Sequence, residues 1–111
     1  MSTKTKAERK FQAALITEIK SRFPGSMVLK NDANYIQGIP DLTVLYNEHW
    51  ATLECKQDAG ASHQPNQDHY VEKMNLMSFS RFIYPENKED VLSEMEQSFE
   101  ARRNARISRS E

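Results

Sequence analysis

Between residues 5 and 23 the apolar positions Phe11, Leu15, Ile16, Ile19 and Phe23 recur every three or four residues, the period at which one face of an α-helix returns. The spacing predicts an amphipathic first helix. Pro24 and Gly25 stop it, because proline disfavours helical geometry in the residue before it and glycine turns the chain readily. Residues 27–30 make a short strand candidate, followed by a polar turn through Asn31, Asp32, Ala33 and Asn34 that leads into Tyr35-Ile36-Gln37-Gly38-Ile39-Pro40.

Residues 41–46 are rich in β-branched and apolar side chains, and residues 50–56 read as their returning partner across Asn47-Glu48, a tight-turn pair. The stretch 58–65 is a polar loop, and Pro65 sits well near the first turn of a second helix running to about residue 77. Tyr70, Val71, Met74 and Met77 form its expected buried stripe, with the methionines as core filler. Residues 81–84 are a final short strand. Residues 88 to about 103 form a third helix with Val91, Leu92, Met95 and Phe99 inward, after which the chain is expected to fray.

At 111 residues the chain fits one core and not two. It is therefore read as a single domain over 1–111, with about 5–103 as the ordered core and 104–111 as a basic tail. No segment approaches the roughly 18 apolar residues of a membrane span. The opening MSTKTKAERK has no apolar stretch behind it, so a cytoplasmic protein is expected, in the host cytoplasm if phage-encoded. Cys55 is the only cysteine, which excludes an internal disulfide and a cysteine-rich zinc site. The net charge of -1 argues against a basic DNA-coating protein. Lys4, Lys6, Arg9 and Lys10 cluster at the start, and Arg102, Arg103, Arg106 and Arg109 at the end.

The candidate chemistry lies on the hairpin. Strand alternation turns Glu54 and Lys56 to one side and Leu53 and Cys55 to the other, placing an acid and an amine at the end of an apolar strand. A buried charge there is costly unless it pairs or binds a metal. The hairpin also brings Asp41 near Glu54 and Lys56. Two carboxylates suit Mg²⁺, which hydrolyses phosphodiesters by polarising a phosphoryl oxygen and activating water. The Cys55 backbone carbonyl offers a further oxygen, and Lys56 is placed to orient or deprotonate the water and offset developing charge.

Gly38-Ile39-Pro40-Asp41, then Leu53-Glu54-Cys55-Lys56, then Gln67 opening a helix resemble the PD-(D/E)XK nucleases, and within them the small VRR-NUC-type and phage-encoded members. The resemblance spans about residues 8–99. It implies an α/β restriction-endonuclease-like core, a mixed central sheet flanked by helices. It also implies Mg²⁺ or Mn²⁺ dependence, DNA as substrate, Asp41 and Glu54 as metal ligands and Lys56 as the catalytic lysine. Gln67 matches the glutamine these nucleases place on the helix after the lysine strand. Gln64 is its rival, but helical register with Tyr70, Val71, Met74 and Met77 turns Gln67 toward the sheet. By likeness to small members that cut branched DNA, a homodimer acting on Holliday junctions is expected.

A first-helix glutamate is implied as well, with Glu8 and Glu18 as candidates. Periodicity favours Glu8, which lies in line with Phe11, Leu15 and Ile19, although Thr5-Lys6-Ala7-Glu8 also spells a capping box. Lys4, Lys6, Arg9, Lys10 and His63 are read as DNA contacts. The alternative function is a non-catalytic nucleic-acid-binding protein that keeps the fold and uses its basic ends on phosphate.

Overall fold

The computed structural model describes residues 4–110, with side chains described through Ile107. The elements run α1 (Lys6–Arg22), β1 (Met27–Lys30), β2 (Leu42–Tyr46), β3 (His49–Cys55), α2 (Pro65–Met77), β4 (Ser80–Ile83) and α3 (Lys88–Ser110). The strands form one mixed sheet in the order β1-β2-β3-β4, antiparallel as far as β3 and parallel between β3 and β4. A parallel link needs a crossover, and α2 supplies it.

Tyr46 pairs with His49 across a two-residue turn, and Asn47 holds φ 55 there, a left-handed conformation that asparagine tolerates better than most residues. This turn sets the register of the hairpin, and register decides which side chains share a face. Leu42 pairs with Leu53 and Val44 with Ala51. All four are fully buried with Leu15 and Ile19 of α1, Phe23 at its C-cap, and Val91, Leu92, Met95 and Phe99 of α3 in one cluster. Each such leucine or valine contributes roughly 1.5–3 kcal/mol by leaving water. Thr43 and Thr52 pair on the other face, where the Thr52 hydroxyl donates to Ser80 Oγ at 2.7 Å and lies 3.6 Å from Met74 Sδ of α2. The sheet is thus flanked by α1 and α3 on one side and α2 on the other.

Two expectations are corrected. Met77 is 57% exposed, although the next residue, Ser78, is buried and bonds to the Trp50 carbonyl of β3. The chain also remains helical past residue 103 to Ser110. Neither glycine nor proline interrupts residues 88–110, Arg102 Nη2 donates to the Ser78 carbonyl at 3.2 Å, and Arg106 pairs with Glu48. The Arg109 side chain lies outside the described residues. No helix among the described residues is long and apolar enough to cross a membrane.

Candidate active site

One step beyond the Leu42/Leu53 pair, the same register sets Asp41 opposite Glu54, at the hairpin end away from the turn. Opposite residues of an antiparallel pair share a face, and both carboxylates here meet one nitrogen. Lys4 Nζ lies 2.9 Å from Asp41 Oδ2 and 2.5 Å from Glu54 Oε2, and it donates to the Cys55 carbonyl at 2.8 Å. Asp41 Oδ2 also accepts the Cys55 N–H at 2.8 Å, which ties the acid to the strand it faces. Cys55 Sγ points into the core, as alternation requires.

The loop before β2 is held from two sides. Asn31 Nδ2 donates to the Pro40 carbonyl and to Thr43 Oγ1, each at 2.9 Å, and the Asn31 N–H reaches the Asp41 carbonyl at 2.8 Å. Gly38 has φ +90, and a Cβ there would stand 2.3 Å from Asn66 Cβ. Only glycine lets this loop close on the start of α2. In the sequence Asn31 is a turn residue; its clamp on Pro40 and Asp41 exists only once β1 and β2 are paired.

Lys56 follows β3, its N–H bonded to the Ile83 carbonyl at 2.9 Å. Its ammonium donates to Gln67 Oε1 at 2.7 Å and to the Ser62 carbonyl at 3.1 Å, and lies 3.9 Å from Glu54 Oε2. Gln67 Nε2 in turn donates to Glu54 Oε2 at 3.1 Å, while Oε1 accepts the Gln64 N–H at 3.0 Å. Gln67 therefore has two roles: it satisfies a donor at the start of α2 and joins the amine to the acid. Gln64 lines the same cavity from the rim.

Glu8 is also double. Its N–H donates to Thr5 Oγ1 at 3.0 Å and its Oε1 accepts the Thr5 N–H at 3.2 Å, a complete capping box. Its other oxygen lies 3.7 Å from Lys4 Nζ, so the carboxylate borders the acidic pair as well. Glu18 is elsewhere, paired with Lys88 of α3 at 3.2 Å.

Burial first, and the neighbouring Asp41 charge second, raise the Glu54 carboxyl to about 7, against the pull of Lys4 and Lys56. For Lys4, burial is the largest single influence and acts downward. Attraction to Glu54 and Asp41 with its hydrogen bonds outweighs it, and the ammonium is held above its ordinary range. Burial, then the Asp41 charge, also push the Cys55 thiol up, which leaves it inert as a nucleophile.

These groups open into a cavity of about 540 Å³ floored by Asp41, Glu54, Lys56 and Gln67, with Gly38 and Ser62 on its walls. No group of three acidic, histidine or cysteine side chains among the described residues forms a metal cage by itself. The donor set is two carboxylates and a carbonyl, hard oxygens of the kind Mg²⁺ takes alongside retained waters. That these oxygens surround an ammonium shows that the place suits a cation. Of the basic residues read as DNA contacts, Lys6, Arg9 and Lys10 are exposed on the first turns of α1, and Arg9 Nη1 donates to the Lys4 carbonyl at 2.7 Å. Lys4 itself turns inward among the acids. His63 stacks on Phe82 at 3.9 Å and meets Asp68 at 2.9 Å.

No family model and no curated protein matches the chain. Among solved structures, one described as a VRR_NUC domain superposes with a TM-score of 0.56 at 25% identity, covering 72% of this chain and 85% of that one.

Proposed function

We propose, from the premise that this chain has the fold of a VRR-NUC-type PD-(D/E)XK nuclease, that it is a Mg²⁺- or Mn²⁺-dependent DNA endonuclease. Asp41, Glu54 and the Cys55 carbonyl would hold the cation, with Glu8 beside them. The observation that carries this reading is the convergence of those three oxygens on a single positive charge, next to the Lys56 amine. When bound, the cation supplies Lewis acidity toward a phosphoryl oxygen and an activated water.

The remaining work falls to the chain's own groups. Lys56, held by Gln67 and the Ser62 carbonyl, presents its amine to the cavity, where it offsets charge that builds on the phosphate and orients the attacking water. Gln67 keeps the amine and Glu54 at a set separation. Asn31 and Gly38 keep Asp41 on the same side as Glu54. Exposed Lys6, Arg9 and Lys10 offer phosphate contacts along the duplex, attraction that weakens steeply with salt.

Within DNA, we read branched or four-way junctions as the substrate and a homodimer as the working form. A chain of this size has little surface beside the cavity for reading bases, and two cavities related by a twofold suit a symmetric junction. The test is incubation with supercoiled, linear, flapped and four-way DNA in Mg²⁺, Mn²⁺ or EDTA, beside Glu54→Ala, with sedimentation to give the oligomeric state. Metal-dependent cutting that prefers the four-way substrate and is lost in the variant is expected. Binding without cutting on every substrate would instead indicate a nucleic-acid-binding protein that keeps the fold.

A further inference from the structure

The oxygens assigned to the cation are already engaged. Lys4 Nζ takes Asp41 Oδ2, Glu54 Oε2 and the Cys55 carbonyl, all within 3 Å, and Glu54 beneath it has a side chain only 1% exposed. Two neighbouring carboxylates, one of them this deeply buried, need a positive partner. An ammonium and a divalent ion cannot both take the same three oxygens, since their charges would repel at contact distance. Resting on the metal reading above, we propose that Lys4 is the resident counter-cation of the metal-free protein and that it leaves the cradle when a divalent ion binds.

The fold makes this exchange local. Lys4 precedes the N-cap residue Thr5, so its side chain is not part of a helix or strand. Arg9 Nη1 holds the Lys4 carbonyl, and the Thr5–Glu8 cap uses Glu8 Oε1 rather than the oxygen that faces the lysine amine. A rotation of one side chain therefore opens the cradle while α1 keeps its cap. Lys4 then points outward beside Lys6 and Arg9, where phosphate is expected to lie. Because only molecules with the cradle open accept metal, the lysine weakens apparent metal affinity by the open fraction.

The test compares wild-type protein in EDTA and in saturating Mn²⁺, with ion binding measured by calorimetry and lysine reactivity by acetylation and mass spectrometry. Lys6 and Lys10 serve as exposed references. In EDTA, Lys4 should be acetylated several-fold more slowly than Lys6, and with Mn²⁺ bound it should approach the Lys6 rate. Lys4→Met should bind Mn²⁺ about tenfold more tightly, whereas Lys6→Met, which removes the same charge one position beyond the cap, should leave Mn²⁺ affinity unchanged. Mn²⁺ binding to wild type with Lys4 still protected would overturn the exchange and leave the metal site standing. Absence of Mn²⁺ binding in both wild type and Lys4→Met would overturn the metal reading itself, and the exchange with it.

Discussion

The Lys56 ammonium and the Gln67 amide oxygen are 2.7 Å apart, and the same amide reaches Glu54 through its nitrogen. One side chain on α2 thus fixes an acid on β3 and the amine of the residue that follows the strand. Gln67→Ala is expected to lower kcat for DNA cleavage by roughly 10–100-fold, the scale seen when an orienting partner of a metal ligand is lost. Lys56→Met should cost about 10²–10⁴-fold while Mn²⁺ affinity stays within a few-fold. Single-turnover kinetics check both, and an unchanged rate in Gln67→Ala would show that the amide only caps its helix.

Glu8 divides its two oxygens between the Thr5 N–H and the acidic pair. Glutamine at the same position can still complete a capping box, so Glu8→Gln should keep stability within about 0.5 kcal/mol of wild type. Its Mn²⁺ affinity should nonetheless fall several-fold. Chemical denaturation and calorimetry separate the two roles, and unaltered affinity and cleavage would leave Glu8 as a cap alone.

Glu54 sets a pH dependence of known sign. Its folded-state value is raised from 4.5 to about 7 by burial and by Asp41, so between those values the folded protein holds more proton than the unfolded chain. The stability this group lends is complete below about pH 4.5 and is lost as pH rises through about 7. Glu54→Gln cannot ionise and escapes that loss. In metal-free urea titrations, the stability of the variant relative to wild type should increase from pH 5 to pH 8 by on the order of 1–3 kcal/mol; parallel pH profiles would refute the buried-acid account.

Gly38 combines φ +90 with a 2.3 Å approach of any Cβ to Asn66. Gly38→Ala should destabilise the protein by about 1–3 kcal/mol and weaken cleavage as well, because the loop carries Asp41. Wild-type urea midpoints in this variant would mean that the loop yields without strain.

The hairpin was the most legible part of the chain. A two-residue turn at Asn47-Glu48 leaves only one register, and that register places Asp41 opposite Glu54 while alternation sends Cys55 inward. Gln67 was legible for the same reason, since its helical spacing to Val71 marks the buried side of α2. Periodicity does not say whether another element covers each position of a stripe, so Met77 fits the apolar stripe and yet is exposed. Nor does a local pattern distinguish Lys4, which precedes the helix cap, from Lys6 and Lys10. Its inward turn depends on β3 passing beneath the start of α1, a contact between residues about fifty apart. Asn31 was hidden likewise, because its partners lie across the β1/β2 pairing.

The central claim is that Asp41, Glu54 and the Cys55 carbonyl hold one divalent ion. Anomalous diffraction at the manganese edge from crystals grown with Mn²⁺ tests it most directly. A single strong peak roughly 2 Å from an oxygen of each carboxylate, absent in Glu54→Gln, is the predicted result. A map from Mn²⁺-soaked wild-type crystals with no peak between residues 41 and 54, the Lys4 ammonium still seated among their oxygens, would contradict it.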